Sequence, residues 1–214
     1  VLNNRKSELI VGPSGDLEVE FIQHPYYTAD SVHDLVIISH PHPLYGGTMD
    51  NKVVSTLFKV YQELGFSVVR YNFRGVGQSQ GLHDYALGEL EDLLTVSVWA
   101  LNQLTHARLH LAGFSFGSYI ALKASPQLKP ISLLTVAPPI GLYDFSPKAL
   151  GALDKDTLWT LIQGGQDEII DSSKVLEWAR SLPKKPDLYW REQASHFFHG
   201  ELVWLKRAVG LAYR

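Results

Sequence analysis

Two serines of this chain stand in the pattern Gly-x-Ser-x-Gly: Ser115 in Gly113-Phe-Ser-Phe-Gly117, and Ser79 in Gly77-Gln-Ser-Gln-Gly81. The pattern suits a nucleophile because a serine raised on a sharp strand-to-helix turn needs small residues on either side, where strand and helix approach. Ser115 has both arms of such a turn, RLHLAGF ahead of it and FGSYIALKA behind. Ser79 lies past Arg74-Gly-Val-Gly77, and Leu82-His-Asp84 follows it in place of an apolar helical face. Ser115 is therefore read as the nucleophile and Ser79 as a loop residue.

A serine hydroxyl is a poor nucleophile at neutral pH, so a base must take its proton and an acid must orient that base. On a strand–helix scaffold of this kind the order along the chain is Ser, then Asp or Glu, then His. The apolar run 157–163 ends in Gly164-Gly-Gln-Asp167-Glu168, and Asp167 is the choice there, with Glu168 and Asp171 as stand-ins. Asp171 or Ser172 is better suited to capping the next helix. After the run 187–191 come His196 and His199, of which His196 lies nearer the strand end and is taken as the base. An oxyanion hole needs two N–H donors, and the residue after the nucleophile, Phe116, supplies one. The second is sought in His40-Pro-His42-Pro-Leu44-Tyr45-Gly-Gly47, which follows an apolar run. Prolines donate nothing. Leu44 and Tyr45 are the first donors past Pro43, and Leu44 is chosen, to within one or two positions. Tyr45, Phe116, Phe197 and Phe198 are expected to make the mouth of the site apolar, with Tyr45 and Phe197 against the substrate.

The elements that must position these residues alternate along the chain. Segments 7–11 and 17–24 read as strands around Gly12-Pro-Ser-Gly15, a hairpin signal. Strands are expected at 35–39, 66–71, 108–114, 131–136, 157–163 and 187–191. Helices are expected at 50–64, 87–104, 116–123, 172–182 and 200–213. A hairpin followed by alternating strand and helix implies one α/β domain, 1–214, with a mostly parallel sheet covered on both faces. Ligands then bind at the carboxyl ends of the strands, where the candidate residues fall.

Composition narrows the chemistry. The 214 residues are 45% hydrophobic and 19% charged, ordinary globular values. A net charge of −3 and a pI near 6.3 lack the basic footprint of a nucleic-acid binder. With no cysteine in the chain, a thiol nucleophile, disulfides and Cys-ligated metals are excluded. The longest near-apolar run, 93–101, is far shorter than the ~18 residues a membrane span needs. The first residues, VLNNRKSELIVG, carry no signal-peptide core, which favours a cytoplasmic address.

The succession HPHPLYGGTMDNKVV, NFRGVGQSQG, GFSFGS, GGQDE and SHFFHG resembles the α/β-hydrolase superfamily, and more narrowly the small lidless bacterial carboxylesterases and dienelactone hydrolases. The resemblance covers nearly the whole chain. It implies an eight-stranded sheet, a Ser115–His196–Asp167 triad, Phe116 and Leu44 as oxyanion donors, and a structural role for NFRGVGQS. The dienelactone-hydrolase thiol is missing here. The connection 137–156 is too short for a separate lid domain, so an open site for small esters is expected. The expected partner is a small-molecule ester, without cofactor, metal, nucleic acid or membrane; self-association into a homo-oligomer is left open.

Three rival readings remain. His40 and His42, with His83, Asp84, His196 and His199, contain metal-ligand types, although no HExxH is present. Gly75-Val-Gly77 and the Tyr119–Lys123 pair hint at a nicotinamide oxidoreductase, but the glycine pattern is not GxGxxG. The third is a catalytically silent scaffold. The five tryptophans, scattered over separate elements, read as packing, and Glu89, Glu91 and Asp92 as charges that suit a helix start.

Overall fold

A computed structural model describes residues 5–213. Strands β1 (Arg5–Gly12) and β2 (Gly15–Ile22) form the expected antiparallel hairpin, closed at Gly12 opposite Gly15. Strands β3 (His33–Ser39), β4 (Ser67–Tyr71), β5 (Ala107–Phe114), β6 (Ser132–Val136), β7 (Leu158–Gly164) and β8 (Asp187–Arg191) follow. The eight strands form one sheet in the order β1-β2-β4-β3-β5-β6-β7-β8. Pairing is antiparallel up to the β2–β4 edge and parallel from there to β8.

Apolar side chains of β3 alternate between two cores, because successive strand residues point to opposite faces. Leu35 and Ile37 join one core, and Val36 and Ile38 join the other. On the first face lie α2 (Gly88–Gln103) and α3 (Phe116–Leu128), through Leu93, Val96, Ile120 and Ala124. On the second lie α1 (Lys52–Glu63) and α6 (Leu202–Ala212), through Val53, Leu57, Leu205 and Val209. Helix α5 (Ser172–Ser181) sets Val175 and Ala179 against Leu161 of β7. The sheet is thus buried on both sides, as its near-continuous apolar strands require.

Two details depart from the sequence reading. Helix α3 runs five residues past its expected end at 123, through Pro126, and closes on Lys129 in a left-handed conformation. The proline falls in the last turn, where the bond it removes, to the Leu122 carbonyl, lies near the helix end. The connection 137–156 holds a short helix α4 (Pro147–Leu150), capped by Ser146, and no other helix or strand. Among the described residues no helix is long and apolar enough to cross a membrane.

Candidate active site

Strand β5 runs straight into Ser115 and α3 begins one residue later, so the serine takes the whole change of direction. Its φ of 52° and ψ of −121° lie where residues other than glycine seldom go, a strain of about 1–3 kcal/mol. The Ser115 N–H donates to the Val136 carbonyl at 2.8 Å, and Ser118 donates to the Ser115 carbonyl through both N–H (2.9 Å) and Oγ (2.6 Å). The flanking glycines permit the turn. A Cβ on Gly113 would sit 2.3 Å from the Gly117 carbonyl oxygen, and one on Gly117 would sit 2.2 Å from that of Ser39.

The loops after β7 and β8 bring the other two residues to this serine. His196 Nε2 lies 3.1 Å from Ser115 Oγ, and its Nδ1 lies 2.8 Å from Asp167 Oδ2. Asp167 also accepts from the N–H groups of Ile169 (3.0 Å) and Ile170 (2.7 Å) and from Gln163 Nε2 (3.0 Å). Burial alone would raise its pKa, but His196 and the two N–H groups outweigh burial and hold the carboxyl below the ordinary carboxylate range. Glu168, a stand-in for Asp167, instead accepts the His196 N–H at 2.9 Å and so holds the histidine loop. Asp171 caps α5 by accepting from Ser173 and Lys174. His199 is exposed, and its N–H turns to Ser195 Oγ. Ser79 is buried, donates to the Asn72 carbonyl at 2.7 Å and accepts the Glu18 N–H at 2.9 Å, tying two strands' ends together.

The oxyanion assignment needs one correction. Phe116 N–H, at the first position of α3, has no partner inside its helix, as any first-turn donor must. Leu44 does not share that freedom: its N–H donates to His42 Nδ1 at 3.1 Å, and its side chain is 64% exposed outside the cleft. Residues 43–45 form a single 3-10 turn for which His42 is the N-cap. Tyr45 and Gly47 both donate to the His42 carbonyl, at 3.2 and 3.0 Å. Within 42–47, His42 and Gly46 keep N–H groups without a partner among the described residues. A Cβ on Gly47 would lie 2.1 Å from the Pro41 carbonyl oxygen, so this tight turn requires glycine there.

A cleft of about 740 Å³ opens over Ser115 and His196. Tyr45, Phe116 and Phe197 line it as expected, together with His42, Ile169 and the loop residues Pro139, Leu142 and Tyr143. Phe198 does not: it is fully buried in the core, with its ring stacked 6.4 Å from that of Trp204. Leu142 and Tyr143 were missed from sequence, although they follow β6 at the carboxyl end of the sheet, where lining residues belong.

The histidines of the metal reading are spent otherwise. His40 is fully buried, with Nδ1 2.6 Å from the Pro41 carbonyl and Nε2 accepting the Phe73 N–H at 3.0 Å. Burial lowers its pKa to about 3, so the ring is neutral. Among the described residues no three His, Cys, Asp or Glu side chains gather as a metal site. Tyr119 donates to the Asp144 carbonyl, and Lys123 lies over its ring behind the elbow. Glu89 and Asp92 are more than helix-start charges. Both are fully buried; Asp92 accepts from the Arg74 guanidinium, and Glu89 from the N–H groups of Asp84 and Ala86.

A family model described as the alpha/beta hydrolase fold matches residues 44–136. A serine hydrolase without a lid from Xanthomonas campestris superposes with a TM-score of 0.89 at 38% identity, over 98% of this chain and 93% of that one. A serine hydrolase homologue from Coxiella burnetii gives 0.87 at 39% identity, over 99% and 98%. An uncharacterized protein of Rickettsia prowazekii is 32% identical over 208 residues, 92% of this chain and 84% of that protein. This chain belongs to the α/β-hydrolase family, in the company of its lidless bacterial serine hydrolases. That membership supports hydrolase activity.

Proposed function

We propose that the chain hydrolyses small carboxylic esters by a two-step acyl transfer on Ser115. His196, oriented by Asp167, takes the Ser115 proton as Oγ attacks the ester carbonyl. The carbonyl oxygen becomes an oxyanion held by the N–H groups of Phe116 and His42, each worth about 3 kcal/mol of barrier. His196 then passes the proton to the leaving alcohol, and the C–O bond breaks to leave an acyl-serine. In the second step His196 takes a proton from water, the hydroxide adds to the acyl carbon, and the acid departs as Ser115 regains its proton.

The observation that carries this reading is the unbroken hydrogen-bonded series Ser115–His196–Asp167 at the floor of an apolar cleft. The cleft's aromatic and aliphatic walls favour an uncharged acyl group over a charged acid. A fluorophosphonate probe tests the reading, since it reacts only with an activated serine. One adduct, mapped to the peptide bearing Ser115 and absent from Ser115→Ala, is expected. Folded protein that takes no adduct would overturn the proposal, and screening chromogenic acetates, butyrates and thioesters then ranks the substrates.

A further inference from the structure

Behind the oxyanion loop stands a buried series of groups that the reaction above does not use. Glu89, at the start of α2, has no exposed surface, and its two carboxylate oxygens accept the N–H groups of Asp84 (2.9 Å) and Ala86 (2.8 Å). The same carboxylate lies 2.7 Å from His83 Nδ1, a close charge contact outside hydrogen-bond geometry, and the His83 side chain is only 6% exposed. The His83 ring lies 4.9 Å from the His42 ring, centroid to centroid. His42 is packed on its other sides by Tyr45 at 4.6 Å and Phe116 at 5.0 Å, and it lines the cleft beside Ser115.

His42 couples ring to backbone. Its Nδ1 accepts the Leu44 N–H and its carbonyl accepts from Tyr45 and Gly47, so a turn of the ring breaks the Leu44 bond beside the His42 peptide. A buried carboxylate is costly unless partnered, and here the turn 84–86 supplies its hydrogen bonds while the imidazole that backs His42 lies directly against it. We propose that Glu89 and His83 are positioning residues for the hydrolytic reaction: Glu89 fixes the His83 ring, and that ring holds His42 and its N–H where the oxyanion forms. The proposal rests on the acyl-transfer reading, since it assigns a purpose to the His42 N–H. It predicts loss of transition-state stabilisation with ground-state binding intact, because nothing in the series except His42 reaches the cleft.

The test compares the native chain with Glu89→Gln and His83→Phe, which keeps an aromatic ring against His42 but removes the group facing Glu89. The second-order rate of phosphonylation by a fluorophosphonate is measured together with kcat and KM on p-nitrophenyl acetate, per labelled site. Thermal melts establish that each variant is folded. Both rates are expected to fall at least tenfold, with KM within twofold of native. Folded variants that label within twofold of the native rate would overturn the proposal, as would a loss carried by KM alone, which would make His42 a plain wall of the cleft. If Glu89→Gln does not fold, His83→Phe decides. A native chain that takes no label at Ser115 would instead sink the acyl-transfer reading, and this proposal with it.

Discussion

The sheet carries two Asp–His–Ser series, one at each end. At the carboxyl ends of the strands are Asp167, His196 and Ser115, with links of 2.8 and 3.1 Å. At the amino ends, Asp34 Oδ1 lies 2.9 Å from His110 Nε2, and His110 Nδ1 lies 2.7 Å from Ser132 Oγ. By residue type and distance the second series is the tighter. It has none of the other parts. Ser132 sits within β6, in register with His110, and its hydroxyl meets Tyr213 at 3.1 Å. Arg108 grips the Asp34 carboxylate through two bonds of 2.7 Å. The second serine has neither a strained turn that raises it nor a helix start beside it. A reactive serine is thus defined by what surrounds its hydroxyl: a cleft, free N–H donors and a backbone bent to present it.

The comparison can be broken most sharply at the serines. Ser115→Ala should lower ester turnover by about 10⁶-fold, as removal of a triad serine does, while Ser132→Ala should keep kcat/KM within twofold. Loss of activity in the second variant alone would reverse the assignment. At the acids, Asp167→Asn should cost about 10⁴-fold in kcat. Asp34→Asn should leave the rate alone and cost about 1–3 kcal/mol of stability, read by urea unfolding, because charge-assisted bonds to Arg108 and His110 are lost.

Acid should weigh on the buried histidines that hold the fold. His40 is held neutral by burial, with a pKa of about 3 against 6.5 for a free imidazole. Burial also lowers His110, against the opposing pull of Asp34. In both cases the unfolded chain binds the proton more tightly. The stability His40 contributes is complete above the unfolded value and drains away as pH falls from 6.5 towards 3, by up to about 1.4 kcal/mol per pH unit; His110 acts in the same direction. Urea midpoints at successive pH values check the slope, and a flat curve across that window would contradict a neutral, buried His40. The smallest effect belongs to the other Gly-x-Ser-x-Gly serine. Ser79→Ala should cost about 1 kcal/mol in urea unfolding, through its bonds to Asn72 and Glu18, and nothing in turnover.

Much of this was legible in the sequence because local patterns and chain order carry it. Strand β8 spans Asp187–Arg191, the bounds read from the sequence, and Ser115, Asp167 and His196 each follow a strand. The misreadings share a cause, which is competition for hydrogen bonds. Leu44 looked like a free donor because proline was the only excluded type, yet the His42 side chain two residues earlier consumes its N–H. Glu89 and Asp92 read as charges that suit a helix start, and their burial gave no local signal. Their partners His83 and Arg74 lie upstream in a loop whose path no periodicity reveals. Phe198 read as a mouth residue beside Phe197, but it adopts a φ of 52° that turns its ring into the core.

The brevity of the 137–156 connection bears on the fate of the acyl group. With only α4 and an open loop there, no described residue folds over the cleft. If the proposed acyl-serine forms, solvent reaches it as freely as the leaving alcohol departs, and an added alcohol must compete with water at its bulk concentration. On the proposed reading the intermediate goes on to the acid product, and in mixed solvents the chain should be a poor maker of new esters.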